Sequence, residues 1–144
     1  MGKGTVAEVL QARRFEVVDE EGRVKAVLGM TPAGRPTLGL FDDKGQPRLG
    51  LIVHPQGYPG ISLTDETGKQ GIEICLGVDG STQVALTDRR GRVRARLALT
   101  PDDNPRLDFG DEHQEIRVML ALLPDGTPGL VLYDEKGEVV WKTP

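Results

Sequence analysis

Asp19, Asp42, Asp65, Asp88, Asp111 and Asp134 stand 23 residues apart, with no insertion or deletion between them. Each sits in the same surroundings. Four residues earlier come Phe15, Leu38, Ile61, Val84, Leu107 and Leu130, and two earlier come Val17, Leu40, Leu63, Leu86, Phe109 and Leu132. Three later comes a glycine in every copy except the fifth, where Gln114 replaces it. Seven later stand Ala26, Leu49, Ile72, Ala95, Val118 and Trp141, and nine later Leu28, Leu51, Ile74, Leu97 and Leu120. Six copies in register define a repeat architecture. It covers residues 15–144 as a single domain and leaves residues 1–14 as an N-terminal extension.

Inside each copy the apolar positions alternate, which is the strand period. The repeat therefore predicts two strands per copy and about twelve in all. Two kinds of turn join them. One is Asp-x-x-Gly, in which the Asp side chain caps the turn and Gly takes a positive φ. The other is Pro-x-Gly-x-Pro, as in residues 32–36, 55–59 and 124–128, with weaker versions at 78–82 and 101–105. Gly 19 and Pro 10 in 144 residues is roughly a fifth of the chain against about 12% in average usage, and the excess belongs mainly to these turns. Pairing apolar with apolar selects even-length loops: a four-residue loop from Asp19 to Gly22 sets Val17 against Val24 and Phe15 against Ala26. A three-residue loop would set Val17 against Lys25 and divide the apolar sets between two faces. The Pro turns likewise align Met30 with Leu38. The result is an all-β antiparallel meander of six hairpins with one strongly apolar face.

A sheet with such a face needs cover. Three closures are open to it: a flattened barrel or sandwich made by the chain alone, a propeller- or trefoil-like ring of hairpins, or a homo-oligomer. Small residues on the reverse face, among them Gly39, Ser62, Ala85 and Cys75, suit close approach of another layer. A parallel β-solenoid with 23 residues per rung is the alternative, though it gives no reason for the turn glycine. In the extension, Thr5-Val6-Ala7-Glu8 has a capping-box pattern and predicts a short helix.

The two-strand, 23-residue unit resembles the MORN repeat in length and hairpin plan. It lacks that family's Tyr/Trp-Gly signature, so lipid or membrane tethering is not implied. The phrase Leu-x-Leu-x-Asp-x-x-Gly-x-x-Arg-x-x-Leu is similar to tandem repeats of uncharacterised bacterial proteins. That resemblance implies a bacterial origin and names no site residues.

Chemistry is sparse. Stacked carboxylates can form a Ca²⁺ ladder, but turn capping explains the Asp column without a cation, and no second acidic column completes a shell. Hence no metal, no cofactor and no catalytic residue is expected. His54 and His113 lie in separate turns, and neither keeps ligand spacing with Cys75, which reads as an inert small residue. Tyr58 and Tyr133 could stack on sugars, but the aromatic does not repeat at the other tips. Trp141 takes an apolar column position as a cap on the core. The densest charge is Arg89, Arg90, Arg92, Arg94 and Arg96. Alternation places Arg92, Arg94 and Arg96 on one face, and Arg117, Arg48 and Lys25 share the position of Arg94, making a basic band for an anion. The candidate anion-binding set is Arg92, Arg94, Arg96 and Arg117. Nucleic acid is disfavoured by a net charge of -4 and 4% aromatics.

No run of 18 apolar residues exists, so no membrane-spanning helix is expected. The opening residues lack the apolar stretch of a signal peptide. One cysteine suits a reducing compartment, and a cytoplasmic location is the matching expectation. The functional expectation is a non-enzymatic structural or protein-interaction module that partners itself or another protein. Its alternative is a binding domain for an anionic polymer or glycan.

Overall fold

A computed structural model describes residues 9–143. Twelve strands run β1 (Arg14–Val18), β2 (Val24–Met30), β3 (Pro36–Phe41), β4 (Pro47–Val53), β5 (Pro59–Thr64), β6 (Gln70–Leu76), β7 (Thr82–Thr87), β8 (Val93–Leu99), β9 (Pro105–Gly110), β10 (Ile116–Leu122), β11 (Pro128–Tyr133) and β12 (Val139–Lys142). They form one sheet in strict sequence order, and every adjacent pair is antiparallel. This is the all-β hairpin meander that the alternation predicts, and it replaces the parallel solenoid. Residues 9–13 hold no helix; the Thr5–Glu8 capping box lies outside the described residues.

The loops differ from the expected ones. In each Asp turn the N–H three residues on donates to the Asp carbonyl, as Gly22 does to Asp19 at 3.0 Å and Gln114 to Asp111 at 3.2 Å, and the Asp N–H donates to the carbonyl four residues on, Asp19 to Arg23 at 3.0 Å. That leaves a three-residue loop whose last residue is left-handed, with φ 78° at Gly22 and φ 81° at Gly91. Such a loop alone would set Val17 against Lys25. A β-bulge prevents this: Val18 pairs with Val24, Lys25 drops out of the ladder, and Val17 meets Ala26. The same residue of each copy is skipped, namely Arg48, Gly71, Arg94, Arg117 and Val140. The Pro turns close on the same loop, with Thr31 N–H donating to Arg35 at 2.7 Å, and carry no bulge, so that Met30 faces Pro36 and Leu28 faces Leu38. The four-residue loop and the Met30–Leu38 alignment are thus corrected, while apolar still meets apolar throughout.

This register also decides closure. From Phe15 the ladder leads to Leu28 and then to Leu38, one whole repeat on. Each repeat therefore returns to the same row, and no stagger accumulates. A barrel requires tilted strands and a net shear between first and last. The rows here run straight across the sheet, β1 and β12 remain its two edges, and the sheet does not close. Neither the barrel or sandwich closure nor the ring is made by this chain alone.

Straight rows divide the residues cleanly by face. The apolar face carries three of them. The middle row includes Phe15, Leu28, Leu38, Leu51, Ile61 and Ile74 and continues to Leu130. The row beside the Asp turns runs from Val17 to Trp141, and the row beside the Pro turns from Met30 to Pro128. On these rows Leu28 is 54% exposed and Leu97 56%. The reverse face is the better buried one, with Val27 at 6% and Ala85 at 2%. Its short side chains lie beneath longer neighbours, as Ala85 does between Glu73 and Arg96.

Candidate interaction surface

The Asp column is engaged inside its own turns. Asp42 Oδ1 accepts the N–H groups of Lys44 and Gln46, both at 2.9 Å. The carboxylates of Asp19, Asp65, Asp88, Asp111 and Asp134 do the same two and four residues on. The second oxygen takes a cation where one is within reach. The bulge turns the skipped side chain back toward the turn. Arg48 thereby reaches Asp42 at 3.4 Å, Arg94 reaches Asp88 at 3.5 Å, and Arg117 Nε donates to Asp111 at 2.7 Å. The carboxyl pKa values of Asp42, Asp88 and Asp111 are lowered by their arginine and turn N–H contacts. The Arg92 guanidinium, followed by the turn N–H groups, holds Asp88 far below the ordinary carboxylate range against partial desolvation. Backbone donation from Gln46 is the first cause that lowers Asp42, and the Thr67 hydroxyl the first that lowers Asp65. Among the described residues no group of three or more His, Cys, Asp and Glu gathers as metal ligands.

The four candidate arginines are likewise engaged. Arg92 leads into β8, donating to Asp88 through Nε and Nη2 at 2.9 and 2.7 Å and to the Glu112 carbonyl at 2.6 Å. Arg94, the bulged residue, donates to the Gly110 carbonyl at 2.8 Å. Arg96 crosses to β9 and meets Asp108 at 2.8 Å, and Arg106 binds the other oxygen of that carboxylate. Asp108 is 3% exposed, the one buried charge among the described residues. The arginines thus do not line up as one band. Arg92 and Arg94 share Asp88 at a hairpin tip, Arg96 pairs across the reverse face, and Arg117 serves the next turn. At the tip, Arg89, Arg90, Arg92 and Arg94 surround an open cleft of about 620 Å³ together with Asp88, Asp111 and Glu112.

The remaining polar candidates are placed separately. Cys75 is buried on the reverse face and accepts from Gln83 at 3.3 Å. The His54 ring stacks on Tyr58 with centroids 4.3 Å apart, so this tyrosine face is covered within its own turn. His113 lies at a turn tip, where its backbone N–H caps onto Asp111. Trp141 faces Leu132 on the edge strand β12 and stays half exposed.

A second concavity lies on the apolar face. A trough of about 810 Å³ runs between the middle row and the row beside the Pro turns. Its walls are residues such as Leu51 and Val53 on β4 and Leu97 and Leu99 on β8, and its floor is the backbone between them. It crosses from Leu28 on β2 to Pro105 on β9 with no charged residue in its lining. The Asp and Arg columns of the sequence do not point to this trough. Its signal is the recurrence of Met30, Val53, Leu76, Leu99 and Leu122 just before the second turn, and of Pro36, Pro59, Pro105 and Pro128 just after it.

No helix of the described residues is long and apolar enough to cross a membrane. No protein-family model matches the chain, and no curated protein matches it.

Proposed function

We propose that this protein is a non-enzymatic structural and interaction module, a repeat-built β platform that works by presenting its apolar face to another protein surface. The observation that carries this reading is the state of that face. Its three rows are continuous and uncharged, and most of their positions are exposed. Exposed apolar patches of this extent mark interaction sites. The polar chemistry supports the same reading, because the turn carboxylates and the arginines beside them are engaged in holding hairpins together. Hydroxyl-radical footprinting of the native protein tests it. The aliphatic rows are expected to be protected relative to exposed Val140 on β12. Rows that react as readily as Val140 under every condition, with other proteins added as well as without, would remove the reading.

A second reading, an anionic polymer or glycan held through Arg92, Arg94, Arg96 and Arg117, is favoured by the arginine-rich cleft at the fourth Asp turn. It requires the anion to compete with Asp88, Asp108 and Asp111. Heparin retention at low salt, lost in a variant with Arg92, Arg94 and Arg96 changed to Ala, supports this reading.

A further inference from the structure

We propose that the surface taken up by the apolar face is a second copy of this chain, packed sheet on sheet about a two-fold axis. This rests on the interaction reading above and names its partner.

The first argument is coverage. Twelve strands at about 4.8 Å spacing, each giving about 16 Å of length, make a face of roughly 900 Å². Two such faces pressed together remove on the order of 2,000 Å² from water, which is what a stable dimer needs. An elongated ligand does not achieve this. The trough spans seven strand intervals, about 34 Å, and lies between two of the three rows. A ligand lying along it would leave the Asp-turn row, from Val17 to Trp141, in water.

The second argument is chemical matching. Apart from Thr82, the face offers aliphatic, aromatic and proline side chains only. A partner with polar groups to satisfy would find nothing to bond, whereas an identical face needs nothing. The net charge of -4 resides in the turns and on the reverse face, so two copies meet through their uncharged sides.

The third argument is shape. The rows are straight, and a groove runs between two of them. A row of side chains from the facing sheet can seat in that groove, and the two-fold axis makes the contact reciprocal.

The experiment is a mass measurement by light scattering and sedimentation on the whole chain, in wild type and in two variants. Leu51→Asp combined with Ile61→Asp places carboxylates in the middle row; Ser62→Asp places one on the reverse face. The proposal expects twice 15.6 kDa for wild type and for Ser62→Asp, and a single chain for the double variant. Far-UV circular dichroism reports whether that variant remains folded. A second measurement needs no variant: the urea midpoint of wild type should rise when protein concentration is raised about tenfold. A single-chain mass with a concentration-independent midpoint overturns the proposal. If footprinting then shows the rows protected only when another protein is added, the interaction reading survives with a different occupant; protection by neutral phosphatidylcholine vesicles alone replaces it with a lipid surface. Reactive rows under every condition remove both. A dimer unaffected by the double variant places the contact elsewhere and also overturns the proposal.

Discussion

At one end of the sheet the Asp turns join odd to even strands, and at the other end the Pro turns join even to odd. Both close on a three-residue loop with a left-handed last position, φ 75° at Gly45 and φ 74° at Gly34. They differ at the start of the next strand: every Asp turn is succeeded by a bulged residue, and the Pro turns by none. The difference teaches how an odd period can be made. Two identical three-residue loops in an antiparallel meander give a repeat of even length. A period of 23 therefore needs one extra residue per copy, outside the ladder. The chain places it where a basic side chain can turn back onto the Asp of its own turn.

The strongest break of this comparison is a pair of single-residue deletions on β8. Ala98 lies in the regular ladder on the Pro-turn side, paired with Gln83 and Arg106. Removing it makes Leu97 and Leu99 adjacent, so that one half of the sheet turns its apolar rows to the opposite face. Loss of a cooperative urea transition is expected. Removing Arg94 leaves Leu86 facing Ala95 and Thr87 facing Val93, so the fold should survive, losing the bonds to Asp88 and Gly110. Similar urea curves for the two deletions would sink the account of the bulge.

Next in size is the first side chain of the turn. Asp88 caps two N–H groups and binds Arg92 and Arg94, whereas its Pro-turn counterpart Thr100 accepts one N–H, from Asn104 at 3.2 Å. Asp88→Ala should lower the melting temperature more than Thr100→Ala, and equal shifts would remove the distinction. Asp88→Asn separates cap from charge. The folded carboxyl lies below its unfolded value of about 3.9. Its contribution is therefore complete above that pH and is lost as pH falls through the acid range below about 4. Wild type should lose stability on acidification more steeply than the Asn variant, as read from melting temperatures at successive pH values.

Smaller again is the left-handed position itself. Gln114 holds φ 68° in an Asp turn and Asp103 φ 60° in a Pro turn, where the other turns with a left-handed last residue use glycine. Gln114→Gly should stabilise by about 1 kcal/mol by relieving that conformation. Asp103→Gly should gain less, since Asp tolerates the region better than Gln. Urea midpoints check both, and a larger gain at Asp103 would reverse the ranking.

The alternation of Leu38, Leu40, Leu49 and Leu51 revealed the strands, the antiparallel plan and the two turn families. The Asp-x-x-Gly spacing revealed the caps. The bulge was hidden because a four-residue loop and a three-residue loop plus a bulge give the same parity, and apolar pairing tests parity alone. Closure was hidden in that same register, since the expected pairing of Phe15 with Ala26 and Met30 with Leu38 staggers successive repeats and the observed one does not. The arginines were legible as charge but not as partners. Alternation puts Arg92, Arg94 and Arg96 on one face, and only the bulge explains why Arg94 returns to Asp88 while Arg96 crosses to Asp108. The apolar trough depends on three-dimensional rows, although its prolines recur openly.

The smallest predicted effect tests why the bulge carries a cation. Four of the six bulged positions are basic, and Gly71 is the one with no side chain. A Cβ at Gly71 would meet only the Leu63 carbonyl oxygen, at 3.9 Å, and the residue does not need a positive φ. The turn before it is capped by backbone and hydroxyl donors, with Asp65 Oδ1 accepting from Thr67 and Lys69. Gly71→Arg would place a guanidinium where Arg48 and Arg94 stand in neighbouring copies, within reach of Asp65 Oδ2. Replacing glycine restricts the unfolded chain, and an exposed ion pair adds a few tenths of a kcal/mol, so a net gain of about 0.5–1 kcal/mol is expected. Gly71→Ala supplies the backbone part without the charge. A stability difference between Arg and Ala that shrinks in high salt assigns the remainder to the Asp65 pair. Equal stabilities at low salt would mean that the bulge holds its place through loop parity alone, with the basic column serving only to cover the reverse face.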